Sequence, residues 1–333
     1  MSKTEIIAEV GSVHDGSFGN ALKLIDVAAQ QGADVVKFQT HIASAETLRN
    51  APMPPYFNGE PRYEYFERTA FSREQWRALK SHCEARGIEF LSSPFSIEAV
   101  ELLESLEVAR FKVPSGEVTN LPLLEAIAST SKPVLLSSGM SLWKELDEAV
   151  NTILRSNNRL TLMQCTSEYP CRYEHVGLNV MLEMRERYRL PVGLSDHTLT
   201  PYASIAAVVL GAAVIEKHLT FSREMYGSDA KHSMLPAEFG DLVGGIRAVE
   251  TMLSTRLDKD AATIRLQHMK GIFEKSVVSL VDIEDRSLIT PEMVGTKKPG
   301  TGIPAARLKE VIGKRAAHAI AKDSLILEED LVS

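Results

Sequence analysis

The sequence predicts an α/β fold: a (β/α)8 TIM barrel followed by a small mixed β/α domain. Three observations predict it. Short apolar runs alternate with longer segments of helical period eight times over about 250 residues. The runs end in polar residues at what would be one rim of a barrel. After residue 272 the texture changes to short, turn-rich stretches.

The rhythm begins with a strand at residues 6–10 and a helix at 18–31, whose apolar residues Ala21, Leu22, Leu24, Ile25 and Ala28 recur at helical spacing. Gly32 ends this helix at the position past its cap. A strand at 35–38 follows. Residues 41–69 then break the pattern with four prolines and several aromatics, and are expected to form a long loop over a site. Further strands are predicted at 89–92, 110–113, 133–136, 160–164, 192–194 and 213–216. The helices between and after them are predicted at 73–86, 97–106, 121–129, 142–155, 178–188, 202–210 and 237–253. Most strands are short and apolar, as parallel strands covered on both faces read. An open doubly wound sheet is the competing arrangement, but no GxGxxG follows the first strand. The expected organisation is a barrel over 1–255, a helical linker over 256–272 and a small domain over 273–333.

Composition excludes several classes. The net charge is −7, and no basic block of five or more residues occurs, which argues against nucleic acid as a partner. The three cysteines, Cys83, Cys165 and Cys171, are scattered and contain no CxxC, so a disulfide framework is not expected. No apolar run reaches the roughly 18 residues of a membrane span. The N-terminus lacks a secretory apolar core, and a cytoplasmic protein is expected.

In a (β/α)8 barrel the chemistry sits at the C-terminal ends of the strands. Here those ends supply Glu9; Lys37 and Gln39; Ser93; Lys112, Ser115 and Glu117; Ser137 with Gly139; Ser167 and Tyr169; Asp196 and His197; and Glu216 and His218. Lys37, Ser93, Lys112, Ser115 and Ser137, with Gly116 and Gly139 permitting close backbone approach, suit an anion such as phosphate. The bland alternative is a set of solvated loop ends. His197 and His218 end adjacent strands and suit a transition metal or zinc, with Asp229 and His232 approaching from the next loop. Alternatively, they are strand-end histidines bonded to loops. Glu9 and Glu117 are candidates for acid–base work. Asp196 and Glu216 are open to a structural reading, pairing with Lys217 or orienting a histidine.

The stretches IIAEVGSVHDGS, GADVVKFQT, FLSSPFS, FKVPSGEVTNLPLLEAI, PVLLSSGMS, QCTSEYP, VGLSDHT, GAAVIEKHLT and KKPGTGI occur in this order. In this the chain resembles the sialic acid synthase family, which includes N-acetylneuraminate, legionaminate and pseudaminate synthases, and carries a C-terminal antifreeze-like (SAF) domain. The resemblance implies condensation of phosphoenolpyruvate with an N-acetylated mannosamine-like aldehyde, with phosphate released. It implies a divalent metal, most often Mn2+, held by His197 and His218. It implies that Glu9 and Glu117 are the acidic catalytic residues. Lys37, Gln39, Ser93, Lys112, Ser115 and Ser137 would bind phosphoenolpyruvate, and Tyr169 and Asp229 would contact the sugar, with Ser167 counted among the substrate-binding residues. It further implies a domain-swapped homodimer. Two positions depart from the family pattern. Lys298 stands where many members have an arginine that contacts the sugar's acyl group, and lysine lacks the planar fork. The loop after the eighth strand reads GSDAKHSMLPAEF in place of GPDHxxSLEP. The alternatives are a phosphoenolpyruvate-dependent synthase for another sugar aldehyde, of the spore-coat type, and a catalytically silent carbohydrate-binding relative.

Overall fold

The computed structural model describes residues 3–52, 60–156 and 159–332. These fall into two compact units, Met1–Thr255 and Arg256–Ser333. In the first, eight parallel strands run β1 (Glu5–Gly11), β2 (Val35–Thr40), β3 (Glu89–Pro94), β4 (Phe111–Val113), β5 (Val134–Ser137), β6 (Leu160–Cys165), β7 (Val192–Asp196) and β8 (Val214–His218). Their spatial order is β3-β2-β1-β8-β7-β6-β5-β4, and the two end strands pack side by side, so the sheet forms a nearly closed barrel.

Period-two alternation decides what each strand delivers. One set of side chains points out: Ile6, Ala8 and Val10 of β1 and Val36 and Phe38 of β2 join the large core under the helices. The other set points in. Ile7, Val35, Leu91, Leu135, Met163 and Val214 form a small apolar plug inside the barrel. Two residues further along the same strands come Glu9, Lys37, Ser93, Ser137, Cys165 and Glu216. The plug and the polar rim are thus successive layers of one alternating pattern. Gly193 belongs to the plug layer because a Cβ there would stand 2.4 Å from the Val214 carbonyl oxygen.

The helices carry ordinary signals. Arg73–Arg86 starts with a capping box between Ser72 and Gln75 and stops at Gly87 in the left-handed region. The expected long loop over 41–69 is only partly a loop: it contains helices Ala43–Glu46 and Arg62–Thr69. Prolines masked these helices in the sequence, yet Pro61 sits just before the second, where a missing N–H is harmless. Residues 53–59 of that stretch lie outside the described residues.

The second unit has helices Lys259–Arg265 and Gln267–Phe273, then two antiparallel pairs. These pair β9 (Ser276–Ser279) with β10 (Val294–Lys297), and β11 (Arg315–Ala316) with β12 (Leu331–Val332). Val277, Ile283, Ile289, Val294, Ile303, Val311, Ile320 and Ile326 form its own core. Among the described residues no helix is long and apolar enough to cross a membrane.

Candidate active site

At the C-terminal ends of the strands lies a cavity of about 280 Å³. Its walls include Glu9, Lys37, Gln39, Lys112, Ser115, Gly116, Ser137, Ser167, Tyr169, Ser195, His197, Glu216 and His218. Most of the residues singled out from the sequence therefore meet in one space.

Its floor is a buried charge network. Lys37 Nζ is 2.7 Å from Glu9 Oε2 and 3.8 Å from Glu216 Oε1, and donates to Ser93 Oγ at 3.3 Å. Lys112 Nζ and Ser195 Oγ both donate to Glu216 Oε1 at 3.0 Å. Burial alone would lower the Lys37 ammonium, but Glu216 and Glu9 outweigh it and hold it above the usual lysine range. Burial would likewise raise the Glu216 carboxyl, yet Lys112 and Lys37 keep it well below the usual carboxylate range. Two lysines and two glutamates thus share one buried network. Such a network carries desolvation of several kcal/mol per ion. Its presence in the barrel mouth points to chemistry rather than stability.

Beside it is a hydroxyl cradle. Ser115 Oγ donates to Cys165 Sγ at 3.3 Å. A Cβ on Gly139 would lie 2.5 Å from Ser115 Oγ and 2.6 Å from Ser167 Oγ. Only glycine lets both hydroxyls approach this strand end.

The opposite wall is aromatic. Tyr169 stacks on His197 with centroids 4.2 Å apart, and the His197 and His218 rings lie 5.5 Å apart. The Thr166 carbonyl pairs with His197 Nδ1 at 2.8 Å, which leaves Nε2 as the outer nitrogen. Burial, then His218, pushes the His197 pKa down to about 3, so the ring is neutral. His218 Nδ1 is buried and has no hydrogen-bond partner among the described residues. The neutral His197 imidazole, held by a backbone carbonyl, and the neighbouring His218 ring with its unsatisfied nitrogen fit a transition-metal ion. Among the described residues no group of three or more His, Cys, Asp or Glu is placed to hold one. Such an ion would need water or substrate oxygens to complete its shell.

The remaining sequence candidates sit around this space. Ser93 lies behind Lys37. A Cβ on Gly11, whose φ is +47°, would stand 2.7 Å from Asp229 Oδ2 and 3.3 Å from Gln39 Nε2, so Asp229 borders the Glu9–Gln39 corner. Glu117 follows Gly116 in a short 3-10 turn and accepts from Asn120 Nδ2 at 2.8 Å. Burial raises its pKa. Lys298 belongs to the second unit, where its ammonium lies 5.0 Å from the Phe273 ring. Asp196 faces away from the cavity and pairs with Lys217 at 2.8 Å, the structural pairing open to it from the sequence, whereas Glu216 pairs with Lys112 and Lys37 rather than with Lys217. The site role of Glu216 was missed because its partners Lys112 and Lys37 are remote in sequence. The signal was present, since Val214, Glu216 and His218 share one face of β8.

Comparison with known proteins decides the family. The sequence model of the NeuB family matches residues 24–258, and that of the SAF domain matches residues 274–332. The chain belongs to the NeuB family. It is 38% identical to the N,N'-diacetyllegionaminic acid synthase of Campylobacter jejuni, over 98% of this chain and 100% of that one. It is 34% identical to the enzyme of the same name from Legionella pneumophila, over 98% of this chain and 94% of that one. Among solved structures, the N-acetylneuraminic acid synthetase of Leptospira borgpetersenii superposes with a TM-score of 0.70 at 27% identity, covering 81% of this chain and 92% of that one. This NeuB-family chain therefore carries both family units, the barrel with its rim cavity and the SAF domain.

Proposed function

We propose that this protein condenses phosphoenolpyruvate with an N-acylated amino-sugar aldehyde to make a nonulosonic acid, with a diacetamido 6-deoxy sugar as the preferred acceptor. The observation that carries it is the two-sided cavity, with lysines and serines on one wall and the Tyr169–His197–His218 cluster on the other. The acceptor preference rests on full-length similarity to two enzymes named as diacetyllegionaminic acid synthases.

In the reaction a bond forms between C3 of phosphoenolpyruvate and the aldehyde carbon, water adds at C2, and the C2–O bond to phosphate breaks. The products are a 2-keto acid and inorganic phosphate. Lys37 and Lys112 meet the anionic groups of phosphoenolpyruvate, and Ser115, Ser137 and Ser167 donate hydroxyls to them. Gln39 and Ser93 hold Glu9 and Lys37. Glu9 faces the positive charge that develops at C2. Glu117, whose pKa burial raises, is in its ionised form a stronger base than an exposed carboxylate and takes the proton of the attacking water. Tyr169 and Asp229 orient the sugar. His197 and His218 would hold a divalent metal, Mn2+ in our assignment, which would supply Lewis acidity toward the aldehyde oxygen. Lys298 contacts the acyl group from the partner subunit of a domain-swapped homodimer, as an ammonium point charge rather than a fork.

The test is phosphate release from phosphoenolpyruvate with Mn2+ against N-acetylmannosamine, 2,4-diacetamido-6-deoxy sugars and mannose. Release with a diacetamido sugar is expected. No release with any acylated amino sugar would overturn the proposal. The cradle gives a second prediction. Gly139→Ala places a methyl between Ser115 and Ser167, and the KM for phosphoenolpyruvate is expected to rise about tenfold, equivalent to ~1.4 kcal/mol. An unchanged KM would remove those hydroxyls from the phosphate site.

A further inference from the structure

We infer that His41 is a positioning residue whose ring proton sets the orientation of Gln39, and thereby decides whether Glu9 is given a hydrogen-bond donor or faced by an acceptor. The inference rests on the proposed reaction, since it takes Glu9 to act at the reacting carbon.

Four side chains form a line into the cavity. His41 Nδ1 pairs with Glu46 Oε1 at 2.8 Å, and His41 Nε2 pairs with Gln39 Oε1 at 3.1 Å. Gln39 Nε2 then donates to Glu9 Oε1 at 2.9 Å. Phe66 and Phe95 stack on the imidazole, with centroids 3.6 and 4.1 Å away, so the ring is buried and fixed. The backbone N–H of Ile42 donates to Glu46 Oε2 at 3.2 Å, which fixes the far end.

Counting donors along this line constrains the proton. A Glu9 carboxylate needs the Gln39 NH2, so Gln39 must present its carbonyl to His41. His41 Nε2 must then carry a hydrogen. A Glu46 carboxylate also needs a hydrogen on Nδ1. With both carboxylates ionised, the ring therefore holds both hydrogens. Loss of one proton to solvent leaves neutral His41 with its remaining hydrogen claimed by Glu46. Nε2 is then an acceptor, the Gln39 amide turns over, and its oxygen faces the Glu9 carboxylate.

The surroundings divide on which form is kept. Burial disfavours the imidazolium, Glu46 favours it, Arg62 opposes it and Asp229 favours it, with a net lowering of the His41 pKa. His14 lies close enough for the two rings to oppose each other's charge. The Glu46 and Arg62 charges also reach Glu117. The folded-state pKa is lowered, so the donor state holds below it and is lost as pH rises through it. The kcat/KM for phosphoenolpyruvate accordingly falls on that side.

Glu46→Gln separates this role from a purely structural one. A glutamine amide can donate to Nδ1, which lets neutral His41 keep its hydrogen on Nε2 at all pH values. The experiment measures phosphate release from pH 5.5 to 9 for the full chain, the Glu46→Gln variant and a His41→Phe variant. Long-range 1H–15N correlation of the imidazole rings is recorded alongside, with His41 assigned from the Phe variant. Expected are a His41 titration that coincides with a limb of the wild-type profile, absence of that limb in Glu46→Gln with Nε2–H retained, and at least a tenfold loss in His41→Phe on the acid side of that titration, where the wild-type ring holds both hydrogens. A wild-type ring in the neutral Nδ1–H form at full activity would overturn the inference, as would an unchanged profile in Glu46→Gln. Absence of phosphate release from the wild-type chain itself would instead count against the proposed reaction, and the ring titration would still report whether His41 and Glu46 share the proton.

Discussion

Lys112→Met is expected to lower kcat/KM for phosphoenolpyruvate by about 100-fold or more and to destabilise the fold by about 3–5 kcal/mol. The two effects have one origin. Lys112 Nζ is the 3.0 Å partner of Glu216 Oε1, and both groups are almost fully buried. Removing the ammonium leaves a carboxylate in the barrel with Ser195 and the more distant Lys37 as its remaining partners. An uncompensated buried charge is worse than an absent pair. The double variant Lys112→Met/Glu216→Gln removes the stranded charge and is expected to regain most of the stability. It is not expected to regain activity, because the cation facing the substrate anion is still missing. Denaturant midpoints and steady-state phosphate release on the same samples separate the two. Recovery of activity in the double variant would show that Lys112 serves only to balance Glu216.

His197→Ala is the second large effect: about a 1000-fold loss of turnover, equivalent to roughly 4 kcal/mol, with the fold retained. The ring sits at the end of β7 with Tyr169 stacked on it and the Thr166 carbonyl behind it, so its loss opens space at the rim rather than in the plug. His218→Ala is expected to behave likewise. Bound Mn2+ after chelation and add-back, measured by metal analysis, should fall from one per chain to near zero in either variant. Full metal content in both variants would sink the assignment of these residues as ligands. Wild-type protein stripped of metal should lose turnover and regain it on Mn2+ addition.

The sequence was most informative where function follows strand periodicity. Val35, Lys37 and Gln39 share one face of β2, and Val214, Glu216 and His218 share one face of β8. An apolar run that ends in such residues states both that the strand is buried and that its end is polar. Gly139, between two serines of different strands, was legible only as a permissive residue; the approach of Ser115 and Ser167 gave it a reason. The helices at Ala43–Glu46 and Arg62–Thr69 were hidden by the proline content of the stretch around them.

What the sequence by itself determined was the order of βα units, the polar character of each strand end and the family motifs. All of these are properties of contiguous residues and of their period. Tertiary structure alone decided the partners. Glu216 meets Lys112, 104 positions away, because β8 and β4 face each other across the barrel interior. Asp196 and Lys217 turn outward because they occupy the alternate face of adjacent strands. His41 reaches Glu9 only through Gln39, and only because Phe66 and Phe95 close on its ring. Side-chain periodicity is local, whereas strand order and stagger, which select the facing pairs, are set by closure of the whole barrel.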